Sequence, residues 1–200
     1  MKKKINKYLK KHLTKDRYQH TLGVAYTAMS MAMRFNPDCT NSEFVKKAEL
    51  AGLLHDCAKC MSNDKKIRIC NKYGIEYSEF ELQHPYLLHG KVGANIAQRK
   101  FAIEDNDILQ AIIWHTTGRP EMSLLEKIIF IADYIEPDRK PIPELDIIRK
   151  LAFEDIDKAM IKIMSNTLAY LKSKDTPIDS MTQITYDSYV KLNLEKREYI

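Results

Sequence analysis

No segment of this chain alternates apolar and polar residues for long enough to make a β-strand. Its apolar residues recur instead at helical spacing, in stripes, as in Ile5, Tyr8, Leu9 and Leu13 near the start. Stripes of that kind are buried by packing helix on helix. Gly 6 and Pro 7 are low counts for 200 residues, which fits long helices and few tight turns, and a hydrophobic fraction of 44% suffices for a core. The fold class is therefore read as all-α, a helical bundle. Residues 1–200 are read as one domain, with a basic N-terminal helix (2–14) and C-terminal helices (about 144–196) packed on it.

A second helix is expected from about Asp16 to Phe35, ended by Asn36-Pro37, and a third over 44–60, "FVKKAELAGLLHDCAKC". Ser62 is placed to cap "NDKKIRICNKY", which Gly74 closes. A looser segment runs to Pro85. Helices follow in "LLHGKVGANIAQRKF", despite its two glycines, and in "DNDILQAIIWH". "TTGRPEM" reads as a loop, and Ser123 with Glu126 forms a capping-box pattern ahead of "LLEKIIFIADYIE". Beyond Pro137, Pro141 and Pro143, helices are expected over 144–173 and 180–196. Tyr186, Tyr189 and Leu192 in the last of these would cover the core or face a second copy in a homodimer.

The formal charge of +5 favours anionic partners: phosphorylated small molecules, RNA or an anionic membrane surface. "MKKKINKYLKKHL" has the charge of a signal peptide without its apolar region, and "AIIW" and "IIFIA" are too short to span a bilayer. Cys57 and Cys60 make a lone C-x-x-C without the second pair that a structural zinc site needs. With Cys39 and Cys70 they read as reduced thiols of a cytoplasmic protein.

The informative residues are polar ones in or beside apolar runs. His20 lies by Leu22, Val24 and Ala25. His55 and Asp56 follow Leu53-Leu54. His115 ends "AIIWH", and Asp133 falls inside "IIFIADYI". A lone carboxylate in that last setting loses its water and must protonate or find a cation. Taken singly, each histidine is more often a hydrogen-bonded core residue, and that reading competes with the sharper one. As a set, spread over four or five helices, they point to a metal centre. Nitrogen and oxygen ligands without thiolates suit iron, manganese, cobalt, nickel or zinc. Lys59 stands one turn beyond His55, Arg17 three residues before His20, and Arg119 and Arg139 follow "HTTG" and "DYIEPD". Together they would form the cationic rim that a polyphosphate needs, although each alone is more often a solvated charge. His12, in a lysine-rich helix, and His84 are read as structural.

The segments "RYQHTLGVA", "LLHDCAK", "LLHGKVGA" and "WHTTGRPEMSLLEKIIFIADYIEPDR", in that order, resemble the HD-domain superfamily of metal-dependent phosphohydrolases. More closely they resemble the bacterial symmetrical bis(5'-nucleosyl)-tetraphosphatases. The resemblance implies an all-α enzyme that cuts diadenosine tetraphosphate into two ADP by attack of metal-bound water on an inner phosphorus. It implies iron, as one or two ions, with manganese, cobalt or nickel as substitutes. Carried over by position, it implies His20, His55, Asp56 and Asp133 as core ligands and His89 and His115 as further ones. Asp56, Lys59, His89 and His115 would be catalytic. Arg17, Lys59, Thr116, Thr117, Gly118, Arg119 and Arg139 would contact substrate, with His20, His89 and Asp133 shared between metal and substrate. The loop "TTGRPEM" is the expected wall of a nucleotide subsite, and no stable nucleic-acid partner or membrane is expected. Other hydrolases of the superfamily, and a non-enzymatic basic helical module, are the rival readings.

Overall fold

The computed structural model describes residues 1–36, 38 and 42–198; Pro37, Cys39 and residues 40, 41, 199 and 200 lie outside the described part. Among the described residues every regular element is helical: α1 (Lys2–His12), α2 (Lys15–Phe35), α3 (Ser42–Leu54), α4 (Asn63–Tyr73), α5 (Glu79–Gln83), α6 (His89–Phe101), α7 (Asn106–Trp114), α8 (Leu124–Ile135), α9 (Leu145–Glu154), α10 (Ile156–Ser173) and α11 (Ser180–Glu198). A 3-10 turn over Pro85–Leu88 leads into α6.

One apolar cluster runs through nearly the whole chain, from Ile5 and Leu9 on α1 through Val24, Leu53, Ile112, Ile128, Ile148 and Met160 to Tyr189 on α11. α2 and α3 pack face to face, and α8 lies against α2, α3 and α7. Gly90, one of the two glycines in α6, has a packing role. A Cβ there would sit 2.7 Å from the carbonyl oxygen of Ile113, so only glycine lets α6 approach α7 this closely.

Caps account for most element ends. The Thr14 hydroxyl accepts from the Arg17 amide to start α2, and Ser123 and Glu126 form the full reciprocal box at α8. Gly74, in the left-handed region at φ 64°, ends α4. Ser62 holds the N-cap position of α4, but its side chain makes no capping bond.

Three expectations change. The helix expected over 44–60 stops at Leu54. The cause is His55, whose Nδ1 takes the Gly52 carbonyl at 2.7 Å. That carbonyl is the acceptor an α-helix would give to the Asp56 amide. Residues 55–60 continue as tight turns, with Cys57 donating to Leu54 and Lys59 to Asp56. The looser segment before Pro85 contains α5, a short helical turn begun by a Ser78–Glu81 capping box. The helix expected over 144–173 is two, because Asp155 breaks it at φ −145°, ψ 99°. Its amide closes α9 on Leu151, and its carboxylate caps α10 at the Lys158 amide.

Candidate metal centre

His20 projects from the second turn of α2, His55 and Asp56 from the turns that follow α3, His89 from the first residue of α6, His115 from the end of α7, and Asp133 from the last turn of α8. The bundle brings all six together. His55, His89 and His115 are buried by one device: each Nδ1 lies 2.7 Å from the backbone carbonyl three residues earlier, that of Gly52, Tyr86 and Ile112 respectively. A carbonyl only accepts, so Nδ1 carries the proton, and in the neutral ring Nε2 presents a lone pair. His20 does the same against a side chain, with Nδ1 3.1 Å from Glu136 Oε1.

The four Nε2 atoms converge on two carboxylates. Asp56 Oδ1 lies 3.2 Å from His89 Nε2 and 3.5 Å from His115 Nε2, and those two nitrogens are 3.0 Å apart. Asp56 Oδ2 lies 3.5 Å from His55 Nε2 and 3.9 Å from His20 Nε2. Asp133 Oδ1 lies 3.0 Å from His20 Nε2 and 3.9 Å from His55 Nε2. Facing lone pairs at these distances repel unless positive charge stands among them. His20 Nε2, His55 Nε2 and Asp56 Oδ1 are buried without a hydrogen-bond partner, which is costly for polar atoms. Two overlapping groups have their ligand atoms within 4.8 Å of one another, His20–His55–Asp133 and His55–Asp56–His115. Such a donor set, with its second ring nitrogens held by carbonyls and a carboxylate, fits a divalent metal. Thiolates do not compete: Cys57 Sγ faces the Gly93 carbonyl, and burial pushes its thiol up.

The electrostatics follow from the same contacts. Burial alone would raise the Asp56 carboxyl, but its contacts with His55, His115 and His89 outweigh burial and hold Asp56 well below its usual range. Asp133 is also held low: burial opposes this, and the contacts with His20 and His55 outweigh it. Asp133 is not sealed in the apolar run, as its sequence context suggests. Its side chain is 26% exposed, against 2% for Asp56, so it stands at the mouth of the centre. Burial, with Lys59 nearby, pushes His89 down to about 4, which keeps its ring neutral and its lone pair available at neutral pH.

Cations ring the centre. Arg17 Nη1 pairs with Asp56 Oδ2 at 2.9 Å. Lys59 Nζ lies 3.1 Å from His89 Nε2 and 3.6 Å from Asp56 Oδ1. The helix stops before Lys59, so the lysine reaches the centre through the turns rather than along a helical face beside His55. Arg139 Nη2 lies 3.4 Å from Asp133 Oδ1, and the Thr116 hydroxyl lies 3.3 Å from His89 Nε2. The remaining candidates sit apart. Thr117 bonds the Gly118 carbonyl, and Gly118 packs on Thr185 of α11. Arg119 forks onto buried Glu126, with contacts of 2.7 and 2.9 Å. His84 lies tilted against Phe80, and His12 stacks on Tyr8.

Two features escape the sequence reading. Glu136, buried behind His20, shows itself only as an acid one turn after Asp133. A cavity of about 600 Å³ is lined by Tyr134, Arg139, Ile142, Pro143, Asn166 and Tyr170, and it is joined to the centre through Arg139, which contacts Asp133. It is built from α8, α10 and the proline segment rather than from "TTGRPEM", so no single stretch of sequence signals it.

An all-helical scaffold that gathers His20, His55-Asp56 and Asp133 has the architecture of an HD domain, and the HD domain family matches residues 17–138. The chain is 41% identical over 179 residues to a symmetrical bis(5'-nucleosyl)-tetraphosphatase of Bacillus subtilis, covering 90% of this chain and 92% of the relative. It is 42% identical to the protein of the same name from Halalkalibacterium halodurans, covering 90% and 91%. A crystal structure from Clostridium acetobutylicum, titled a predicted HD superfamily hydrolase involved in NAD metabolism, superposes with a TM-score of 0.89. It is 41% identical and covers 96% of this chain and 97% of its own. The chain belongs to the HD-domain family of symmetrical bis(5'-nucleosyl)-tetraphosphatases.

Proposed function

We propose that this chain is a metal-dependent phosphoanhydride hydrolase that cuts diadenosine tetraphosphate, and related dinucleoside tetraphosphates, into two nucleoside diphosphates. The observation that carries the reading is the convergence of four imidazole lone pairs on two carboxylates, in a chain alike over its length to relatives that bear this activity in their names.

A bound metal supplies a water of lowered pKa and draws charge from phosphoryl oxygens. His20, His55, Asp56, His89, His115 and Asp133 would hold it. Iron is the resident metal we favour, because imidazole and carboxylate without thiolate suit it, with manganese, cobalt or nickel able to replace it. Asp56, with one oxygen toward each group of histidines, would both hold the metal and orient the attacking water. Lys59 and Arg17 hold phosphate oxygens beside it, and Arg139 does so at the cavity mouth; these contacts help the step where they tighten as charge develops. Thr116 is placed to contact the same phosphates, whereas Arg119 anchors its loop through Glu126.

The cavity by Tyr134 and Tyr170 suits a nucleoside, with two aromatic rings to flank a base and Arg139 at the junction with the phosphates. A base fixed there sets how much of the phosphate bridge reaches Asp133 and Asp56, and so places the cut at the centre of the bridge. Cys57, Cys60 and Cys70 are free thiols, and no described helix is long and apolar enough to cross a membrane. On the free thiols we assign the enzyme to the cytoplasm, and we take it as a homodimer that would meet its second copy through Ile184 and Leu192, exposed on one side of α11.

Anaerobic purification with elemental analysis, followed by product analysis on diadenosine tetraphosphate, tests the function. The expected result is stoichiometric transition metal and two ADP. AMP with ATP would mean asymmetric cleavage and would overturn the assignment. A metal-free protein that gains no activity on Fe²⁺ or Mn²⁺ would favour a binding module instead.

A further inference from the structure

Three of the four inward histidines are oriented by a neutral backbone carbonyl, and His20 alone is oriented by a carboxylate. That carboxylate, Glu136, is 2% exposed. Its Oε1 faces His20 Nδ1 at 3.1 Å, and its Oε2 accepts the Asp138 amide at 2.7 Å. Around it the backbone is pinned: the Glu136 amide bonds Ala132, and its carbonyl accepts from Arg149. Space for the carboxylate comes from Gly23, one turn after His20 on α2. A Cβ at that position would stand 2.6 Å from Glu136 Oε2, closer than packed atoms tolerate. A glycine on one helix and a glutamate at the end of another thus form one device aimed at a single ring nitrogen.

We infer that Glu136, seated against Gly23, is a positioning residue that fixes the tautomer and tilt of His20 and thereby sets metal affinity at the His20–His55–Asp133 group. The inference rests on the metal reading above. A carboxylate behind a ligating histidine locks its ring and raises its basicity. Replacing Glu136 by glutamine tests this without changing shape. The Asp138 amide still needs an acceptor, so the glutamine oxygen turns to it and the NH₂ faces His20 Nδ1. Nδ1 must then accept, which moves the proton to Nε2, the atom that has to bind metal. Gly23→Ala tests the same device from the other side, because it displaces the carboxylate while leaving every candidate ligand and Glu136 itself in the chain.

The experiment is a Co²⁺ titration of chelator-stripped protein, read by visible d–d absorption and by competition with a chromophoric chelator. Circular dichroism checks the fold of each metal-free variant. Affinity in Glu136→Gln should fall roughly 10- to 100-fold, with a changed d–d spectrum, and Gly23→Ala should shift both readouts in the same direction. Gly23→Ala carries the test alone if the glutamine variant does not fold. Variants that bind Co²⁺ with wild-type affinity and spectrum, whatever their melting temperature, would reduce Glu136 to packing and overturn the inference. A wild-type chain that takes up no Co²⁺ would overturn the metal reading and this inference with it.

Discussion

Asp56 sends one oxygen to His89 and His115 and the other to His55 and His20, so its removal splits the centre. Asp56→Ala is expected to abolish hydrolysis and bound metal together, and to leave Arg17 without its 2.9 Å partner. Metal content by elemental analysis beside turnover checks this; full turnover in a metal-free variant would end the reading. Lys59 differs in kind, because it touches His89 and Asp56 as a cation and cannot itself be a ligand. Lys59→Ala is expected to lower kcat by roughly 10²-fold, the scale of losing one donor to a developing negative charge, while metal loading stays near wild type. Unchanged kinetics would remove Lys59 from the phosphate contacts. At this scale five of the six candidate ligands, His20, His55, Asp56, His115 and Asp133, are legible in sequence as histidines or acids beside apolar runs, and His89 only through the family resemblance. Glu136 is not, because its meaning depends on a glycine more than a hundred residues away.

Elements end where the site begins. His55 takes the carbonyl that would have continued α3, and His115 takes the Ile112 carbonyl at the close of α7. These two candidate ligand rings are thus oriented by the backbone of their own helix ends, and their directions are as rigid as those helices. Apolar periodicity finds the body of α3 but runs on past Leu54, because a side chain competing for a backbone acceptor leaves no trace in the pattern of apolar residues. The same limit applies at Asp155, where one acidic residue closes α9 and caps α10. Short α5 is missed for another reason: one turn has no period to detect. The close approach of α6 to α7 yields a prediction at this scale. Gly90→Ala puts a Cβ 2.7 Å from a backbone oxygen that has no rotamer to yield. Helix propensity favours alanine by about 1 kcal/mol, and the overpacking cost of about 1–3 kcal/mol wins. The variant should therefore unfold at lower urea than wild type, and because His89 begins α6 it should also bind metal less tightly. A midpoint at or above wild type would mean that α6 and α7 can separate without cost.

For the molecule as a whole, fold and centre are different sources of stability. The main apolar cluster joins α1 to α11 and includes none of the inward histidines or acids, so the bundle should persist without metal. The metal-free centre nevertheless works against folding: His20 Nε2, His55 Nε2 and Asp56 Oδ1 are buried and unpartnered, and Arg17, Lys59 and Arg139 offset the carboxylate charge without satisfying those nitrogens. A metal would bind this arrangement only once six residues from five separate segments are assembled, so it would stabilise the native state and not the unfolded chain. At free metal one hundred times the dissociation constant the gain is about 2.7 kcal/mol, or roughly 5–10 °C in Tm for a chain of this size. Stripping with a chelator should therefore lower Tm by that order while far-ultraviolet circular dichroism stays helical, and adding back Fe²⁺ or Mn²⁺ should restore it in a concentration-dependent way. In Asp56→Ala the chelator should move Tm little, because the metal's contribution is already gone. A chain whose helicity collapses on stripping would show that the metal, rather than the apolar cluster, holds the helices together.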